Sequence, residues 1–331
     1  LTQEVRLASD YKGPLNFTVG AFYQDGGIRD YETLPGNTAF GLPANLFDGS
    51  HNVPIKAFSV FGQLRYKVVP EFEIAGGLRW TDEKRSDDAQ TKDLFGAVTG
   101  TPGRIFNVPQ PRLHSKNVSP EVTLTWTPNP DLTVFGSFKQ AYKSGSYNII
   151  TPAQPGDVRS FNDEKIQGGE IGLKGRFADR QVALNVAAYY YSVKGLQVGV
   201  NLPFAGGLPI LVTLNAGNAK IKGIEADITY RPDSIPGLEL SAMANYNRSR
   251  FSQFLGAPCH GGQTFAEGCN ALPALAGTVF PAISFTNPAI LGGAPFRYTS
   301  QDLSGTPLTR APEFTASLGG SYEGRSPTAW V

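Results

Sequence analysis

The sequence predicts an all-β fold, a transmembrane antiparallel β-barrel wall of about eleven strands. Three observations predict it. Runs of alternating residues give strands with one apolar and one polar face, the connections between them alternate between very short and long, and aromatics mark both ends of each apolar face. The hairpin 169–201 shows the unit most clearly. Ile171, Leu173, Gly175 and Phe177 share one face, with Glu170, Lys174 and Arg176 on the other. After the turn Ala178–Gln181, the residues Val182, Leu184, Val186, Ala188 and Tyr190 share the apolar face. A period of two with one wet side is a strand pattern.

Composition narrows the class. The 331 residues include 38 Gly, 13 Tyr and 21 Phe, which suits a turn-rich, aromatic-rich β protein. A net charge of +1 argues against a nucleic-acid surface. No run approaches the ~18 apolar residues that a membrane-spanning helix needs, whereas barrel strands need only about 9–11 alternating ones.

The grammar holds along the chain. Leu1–Ser9 is the first strand, followed by the turn Asp10–Pro14 and a strand with Leu15, Phe17, Val19, Ala21 and Tyr23 in phase. A long loop, Asp25–Pro54, leads to Phe58, Val60, Gly62, Leu64 and Tyr66; the turn Val69–Glu71 returns through Phe72, Ile74, Gly76, Leu78 and Trp80. A second long loop, Arg85–His114, precedes Val122, Leu124 and Trp126. The turn Thr127–Asp131 then leads to Leu132, Val134, Gly136, Phe138 and Tyr142. The loop Ser144–Glu164 introduces the hairpin above, and the connection near Asn201–Leu211 follows it. Ile224, Ala226, Ile228 and Tyr230, the turn Pro232–Gly237, and Leu238, Leu240, Ala242, Ala244 and Tyr246 form the next pair. The longest loop, Gln253–Pro307, precedes Phe314, Ala316, Leu318, Gly320 and Tyr322. Tyr66, Phe72, Trp126, Phe177, Tyr230 and Tyr322 lie beside short turns, and Tyr23, Trp80, Tyr142, Tyr190 and Tyr246 lie toward long loops. Short turns at one end, long loops at the other and a double aromatic girdle are the pattern of a bacterial outer-membrane barrel. The first and last strands run the same way, and a single-chain bacterial barrel has an even strand count. Open edges are costly in lipid, so the reading is an internal fragment with strands missing on both flanks.

Several segments, taken in order, resemble the barrel of TonB-dependent outer-membrane receptors. They are 2–9 (TQEVRLAS), 141–148 (AYKSGSYN), 161–164 (FNDE), 169–175 (GEIGLKG), 215–225 (NAGNAKIKGIE) and 302–312 (DLSGTPLTRAP). The resemblance covers nearly the whole chain and implies a 22-stranded barrel occluded by an N-terminal plug. This chain would supply about half of that barrel, residues 1–331, with the plug, the first strands and the last strands lying elsewhere. It further implies an outer-membrane location in a Gram-negative cell, lipid around the wall, TonB as partner through the plug, and import of a scarce nutrient such as a ferric siderophore. A passive porin-like channel or structural barrel is the alternative, and a soluble β-propeller enzyme a third reading.

Candidate residues follow. Cys259 and Cys269, in the longest loop, suit a local disulfide worth about 2–3 kcal/mol of constraint, and their spacing fits no zinc or redox motif. Glu73, Arg79, Glu121, Lys139, Glu170, Lys174, Arg176, Glu225, Asp227, Arg231 and Glu239 fall on the inward face. They read either as a polar wall with cross-strand ion pairs or, for Arg176, Glu225, Asp227 and Arg231 near the periplasmic end, as contacts to the plug. Tyr142, Lys143, Tyr147 and Asn148, with Arg29, Tyr31 and Phe40, are the candidates for gripping an aromatic, anionic iron chelate. The alternative places Tyr142 in the outer girdle and the loop aromatics against each other. His51, His114 and His260 read as incidental polar loop residues. No nucleophile elbow, zinc-type His-Glu pair or phosphate loop is present, so no enzyme, metal or cofactor is expected.

Overall fold

A computed structural model of the chain describes residues 1–36, 39, 45–93, 103–150, 159–203, 209–259, 265–273 and 296–324. Eleven strands form the wall: β1 Thr2–Ala8, β2 Leu15–Pro35, β3 Asn45–Val69, β4 Phe72–Arg85, β5 Leu113–Asn129, β6 Leu132–Lys143, β7 Glu164–Phe177, β8 Val182–Lys194, β9 Asn218–Tyr230, β10 Leu238–Gln253 and β11 Phe314–Tyr322. Each pairs antiparallel with its neighbour in sequence, so the sheet is a simple meander with β1 and β11 as its edges. The described residues contain no α-helix.

Register explains why alternation survives across so many strands. One cross-strand row runs Leu15–Tyr66–Ile74–Leu124–Gly136–Ile171–Ala188–Ile224–Tyr246–Phe314 through consecutive paired positions. Every member except Gly136 and Ala188 is a large apolar or aromatic side chain. A slip of one residue at any strand would turn that strand's apolar set to the opposite face. The outward face is uncovered by protein: Val5 is 74% exposed, Ile171 64% and Leu318 87%. Lipid is the medium that makes such a face stable.

The row also climbs. Leu15 opens β2, whereas Tyr246 stands eight residues above Leu238, where β10 begins. That is roughly one residue of stagger per strand over the steps from β2 to β10. With a rise of about 3.3 Å per residue and a spacing of about 4.8 Å between strands, the strands tilt by about 35°. Barrel closure demands a tilt of this size.

The structure departs from the expected long loops. β2 and β3 run on above the membrane band as a tall hairpin, pairing Gly27 with Pro54 through Leu34 with Phe47. The segment Asp88–Asp93 pairs with β3 and with Arg104–Pro109. Further short pairs join Gln197–Pro203 to Pro209–Asn215, Ser146–Tyr147 to Ser160–Phe161, and Asn270–Pro273 to Phe296–Ser300. Above the membrane both faces of a strand meet water or other loops, so the apolar-polar alternation that betrays a strand disappears. Phe40 and His260 lie outside the described residues.

One short turn carries strain. Ala178, Asp179 and Arg180 have φ of 51°, 53° and 69°, a left-handed run without a glycine. The Gln181 N–H donates to the Ala178 carbonyl at 3.0 Å, and Arg180 donates from Nε and Nη2 to the Asp131 carboxylate at 2.9 and 3.2 Å. The bidentate contact pins this turn to the neighbouring one. Left-handed geometry costs an L-residue roughly 1–2 kcal/mol, and glycine escapes that at an entropic cost of roughly 0.5–1 kcal/mol. Asp179→Gly is therefore expected to stabilise the folded barrel by about 0.5–1 kcal/mol, read as a higher urea midpoint in detergent or lipid.

Candidate functional site

The polar and charged residues of the sheet gather on its inward face and on the rim above it. On the inward face the charges are mostly matched across strands. Arg65 and Glu73 lie 3.0 Å apart, Arg231 and Glu239 2.7 Å, and Lys139 and Glu170 3.4 Å. Asn185 donates to Asp227 at 2.7 Å, and the Arg176 Nε lies 3.9 Å from Asp131. Glu225 and Asp227 line a recess of about 620 Å³ together with Glu170, Lys174 and Asn245. Of the four candidate plug-facing residues, Arg231 is thus committed to Glu239, whereas Glu225 keeps its carboxylate toward the recess.

Inward aromatics are the feature that residue-by-residue reading missed. Tyr189 and Tyr191 flank the outward Tyr190, their ring centroids 6.3 Å apart, and the Tyr189 hydroxyl lies 3.4 and 3.3 Å from the side-chain oxygens of Asn245 and Asn247. Nearer the first strand, the Arg79 guanidinium sits 5.5 Å from the Phe61 ring and 5.6 Å from Phe22, with Arg6 5.6 Å from Phe61. The signal was present in the alternation itself: in a run of three tyrosines, two must face the lumen.

The rim turns the quoted sequence motifs into a hydrogen-bond network. Asp163 accepts from Ser115 Oγ at 2.5 Å, Asn117 Nδ2 at 2.9 Å and the Gly145 N–H at 2.8 Å. Burial alone would raise this carboxyl, but those three donors and the Arg85 charge together hold it below the usual range. Gly145 is required there because a Cβ would lie 2.2 Å from the Phe161 carbonyl oxygen. Gln197 Nε2 donates to the Asn162 carbonyl at 3.0 Å and to Ser144 at 3.2 Å. Asn215 Nδ2 donates to the Asn162 and Gly195 carbonyls at 2.9 and 2.8 Å. Ala216, Phe251, Phe254 and Ala257 form a small apolar core beneath these loops. The disulfide Cys259–Cys269, with Cα atoms 5.8 Å apart, closes the adjacent loop.

These contacts locate the candidate ligand residues. Tyr147 is buried, and its hydroxyl donates to the Pro111 and Arg85 carbonyls at 2.6 and 3.1 Å. Asn148 exchanges two hydrogen bonds with Thr213, at 3.0 and 2.6 Å, so its amide extends the pairing of the neighbouring hairpin. Tyr142 shares the outward face of Phe138, with the Lys165 ammonium 5.7 Å from its ring, which is the girdle position. Arg29 and Tyr31 are exposed and fall on the same side of β2 as Tyr23. Lys143 alternates onto the inward side and is exposed.

His51 is a structural residue rather than an incidental one. It is buried with Asp87, Nδ1 to Oδ2 at 2.8 Å, where the tall β2–β3 hairpin meets the loop after β4. Nearby Glu32 is pushed up to about 7, by burial first and then by Asp30, with His51 and Arg159 pulling the other way. His114 lies 2.9 Å from Asp82. Among the described residues no group of three His, Cys, Asp or Glu side chains is placed to hold a metal ion.

Two outcomes test the rim. Asp163→Ala strands a hydroxyl, an amide and a buried N–H together, each costing about 1–3 kcal/mol; trypsin is expected to cut the loops above β5–β8 faster than in wild type while the strands stay protected. Glu32 has a raised folded pKa, so the neutral acid is the favoured buried form and the hairpin is penalised as pH rises from about 4.5 through about 7. Protection factors of the β2–β3 tip, with the intrinsic exchange rate divided out, are expected to fall as pH rises through that window in wild type and to stay constant in Glu32→Gln.

Comparison with known proteins agrees with this geometry. The family described as "TonB dependent receptor-like, beta-barrel" matches residues 2–331. The pesticin receptors of Yersinia enterocolitica and Yersinia pestis are 25% identical over 217 residues, 65% of this chain and 29% of theirs. The chain therefore spans less than a third of the length of those curated relatives. The ferric yersiniabactin uptake receptor FyuA from Yersinia pestis superposes with a TM-score of 0.61 at 22% identity, over 75% of this chain and 35% of that one. The siderophore receptor PiuA from Acinetobacter baumannii gives 0.57 at 16% identity, over 97% of this chain and 43% of that one. At these identities the structural likeness speaks for the fold alone. An outward apolar face bounded by two aromatic girdles, an inner wall whose charges are mostly matched and a family match over nearly every residue make this chain part of the β-barrel of the TonB-dependent receptor family.

Proposed function

We propose that this chain is the middle part of the wall of an outer-membrane receptor that imports a ferric siderophore, energised through TonB. The observation that carries this reading is the inward display of aromatics beside cations in the lumen: Tyr189, Tyr191, Lys139 and Lys143, with the Arg79–Phe22–Phe61 stack nearer the first strand. Flat aromatic faces and cations together suit an anionic, aromatic iron chelate. Relatives of this family that carry the names of siderophore receptors support the choice of cargo.

In this reading the wall is completed by strands outside the chain, because the backbone edges of β1 and β11 cannot stand unpaired in lipid. A plug domain in the same polypeptide would rest against Arg176, Glu225, Asp227 and Arg231. Cargo binds at the rim and upper lumen, and TonB, drawing on the proton-motive force, displaces the plug to admit it. Arg29 and Tyr31, on the outward side of the tall hairpin, would meet cargo only on approach.

The double variant Tyr189→Ala/Tyr191→Ala is expected to weaken ferric-siderophore binding by about tenfold or more, at roughly 1 kcal/mol per aromatic, measured by fluorescence quenching on whole cells. Deleting TonB is expected to abolish uptake of radiolabelled iron while leaving that binding intact. Uptake that persists without TonB would instead mark a passive channel and overturn the proposal.

A further inference from the structure

Several inward aromatic rings stand directly across a strand boundary from an inward glycine. Register pairs Phe61 with Gly20, Phe135 with Gly172, Tyr191 with Gly168 and Tyr189 with Gly223. In each pair the ring covers the glycine. A Cβ at Gly20 would stand 2.5 Å from Phe61 Cζ, and one at Gly172 2.8 Å from Phe135 Cζ. At Gly168 it would stand 2.7 Å from Tyr191 Cδ1, and at Gly223 2.8 Å from Tyr189 Cζ. Carbon atoms in contact prefer about 3.5–4.0 Å, so each ring occupies space that any other residue would need for its own side chain. Glycine inside a strand weakens it and marks the close approach of another group. An aromatic laid over it covers the bared backbone again.

A ring that lies flat turns one face to the wall and the other to the lumen. Those lumen faces are not used alike. Phe61 has the Arg6 and Arg79 guanidinium groups 5.6 and 5.5 Å from its centroid, and Phe135 has the Lys174 ammonium at 5.8 Å. A cation over the ring satisfies the negative face of its quadrupole, so these two pairs are complete in themselves. Among the described residues no cation lies over Tyr189 or Tyr191, and both rings are half-buried.

The two tyrosines form one platform. They stand two residues apart on β8, with centroids 6.3 Å apart and planes inclined by 37°. Tyr191 lies back over β7 and Tyr189 forward over β9, so together they cover three strands, about 10 Å of wall. Tyr189 is also held at its far end. Its hydroxyl reaches past β9 to β10, 3.4 and 3.3 Å from the side-chain oxygens of Asn245 and Asn247. A ring fixed in this way has little rotamer freedom left to lose when a ligand stacks on it.

We propose that Gly168 and Gly223, with Asn245 and Asn247, are positioning residues that lay Tyr191 and Tyr189 flat as an open stacking platform, selecting chelates whose iron-binding groups are planar aromatic rings. The inference rests on the cargo reading above and deepens it, because it assigns the preference for flat rings to glycines that touch no cargo themselves.

The receptor, expressed from its whole gene and assayed in outer membranes, can be titrated with the iron(III) chelates of a synthetic tris-catechol and a synthetic bis-phenol, followed by fluorescence quenching. Gly168→Ala and Gly223→Ala are each expected to lose about fivefold in affinity, the share of one aromatic contact. Asn245→Ala/Asn247→Ala is expected to lose about threefold, as the hydroxyl tether goes. These losses are expected to vanish once the ring is gone: in Tyr189→Leu, neither Gly223→Ala nor the asparagine pair lowers affinity further, and Gly168→Ala does nothing more in Tyr191→Leu. Glycines that serve only the strand would weaken binding with or without the ring, and such additive losses would overturn the proposal. Alanine at Gly223 also presses on the Tyr246 carbonyl. Where that variant does not reach the outer membrane, the asparagine pair decides, because it leaves the backbone untouched; wild-type affinity there, or a loss that persists in Tyr189→Leu, overturns the positioning. A wild-type receptor that binds neither chelate overturns the aromatic-cargo reading itself, whereas one that binds them with additive losses overturns this inference alone.

Discussion

Hydrocarbon offers no partner for a backbone N–H or C=O, and that constraint organises the whole molecule. Each unpaired group in lipid costs several kcal/mol, so every strand must find two neighbours along its length in the membrane. The meander does this for β2 through β10 with the shortest connections available on one side. Register is then no longer free. The row from Leu15 to Phe314 keeps apolar side chains outward strand after strand, and its climb of about one residue per strand is the stagger that lets a sheet curve toward closure.

Above the membrane the same constraint is met by side chains rather than by a ladder. Asp163, Asn162, Gln197, Asn148 and Asn215 each satisfy backbone or side-chain groups from two or more separate loops. Together they tie the separate loops of the rim to one another. Burial of His51 with Asp87, and of part of Glu32 beside them, shows the cost of this arrangement, because titratable groups are enclosed where water could have solvated them.

Charge on the two faces of the wall obeys different rules. Inward charges are paired across strands, in keeping with a wall that must stay neutral around a lumen. Outward charges above the girdle pair Lys56 with Asp25 and Asp82 with His114 and Lys116, yet Lys56 also stands opposite Lys84, as Lys222 stands opposite Arg248.

The sequence by itself determined the wall. Alternation over Ile171–Phe177, Val182–Tyr190 and their equivalents specified eleven strands, their inward and outward faces and both girdles, since a strand with an apolar medium on one side and water on the other imprints a period of two. It also placed the inward charges, because a residue's parity along a strand decides its face. Tertiary structure decided the rest. The tall β2–β3 hairpin, the added strands Asp88–Asp93 and Arg104–Pro109, and the inward burial of Tyr147 lie where both faces of the chain meet similar surroundings, and there no periodicity is written. The like-charge pairs Lys222–Arg248 and Lys220–Arg250 come from strands that adjoin in sequence, yet their opposition depends on a register that only pairing in space fixes.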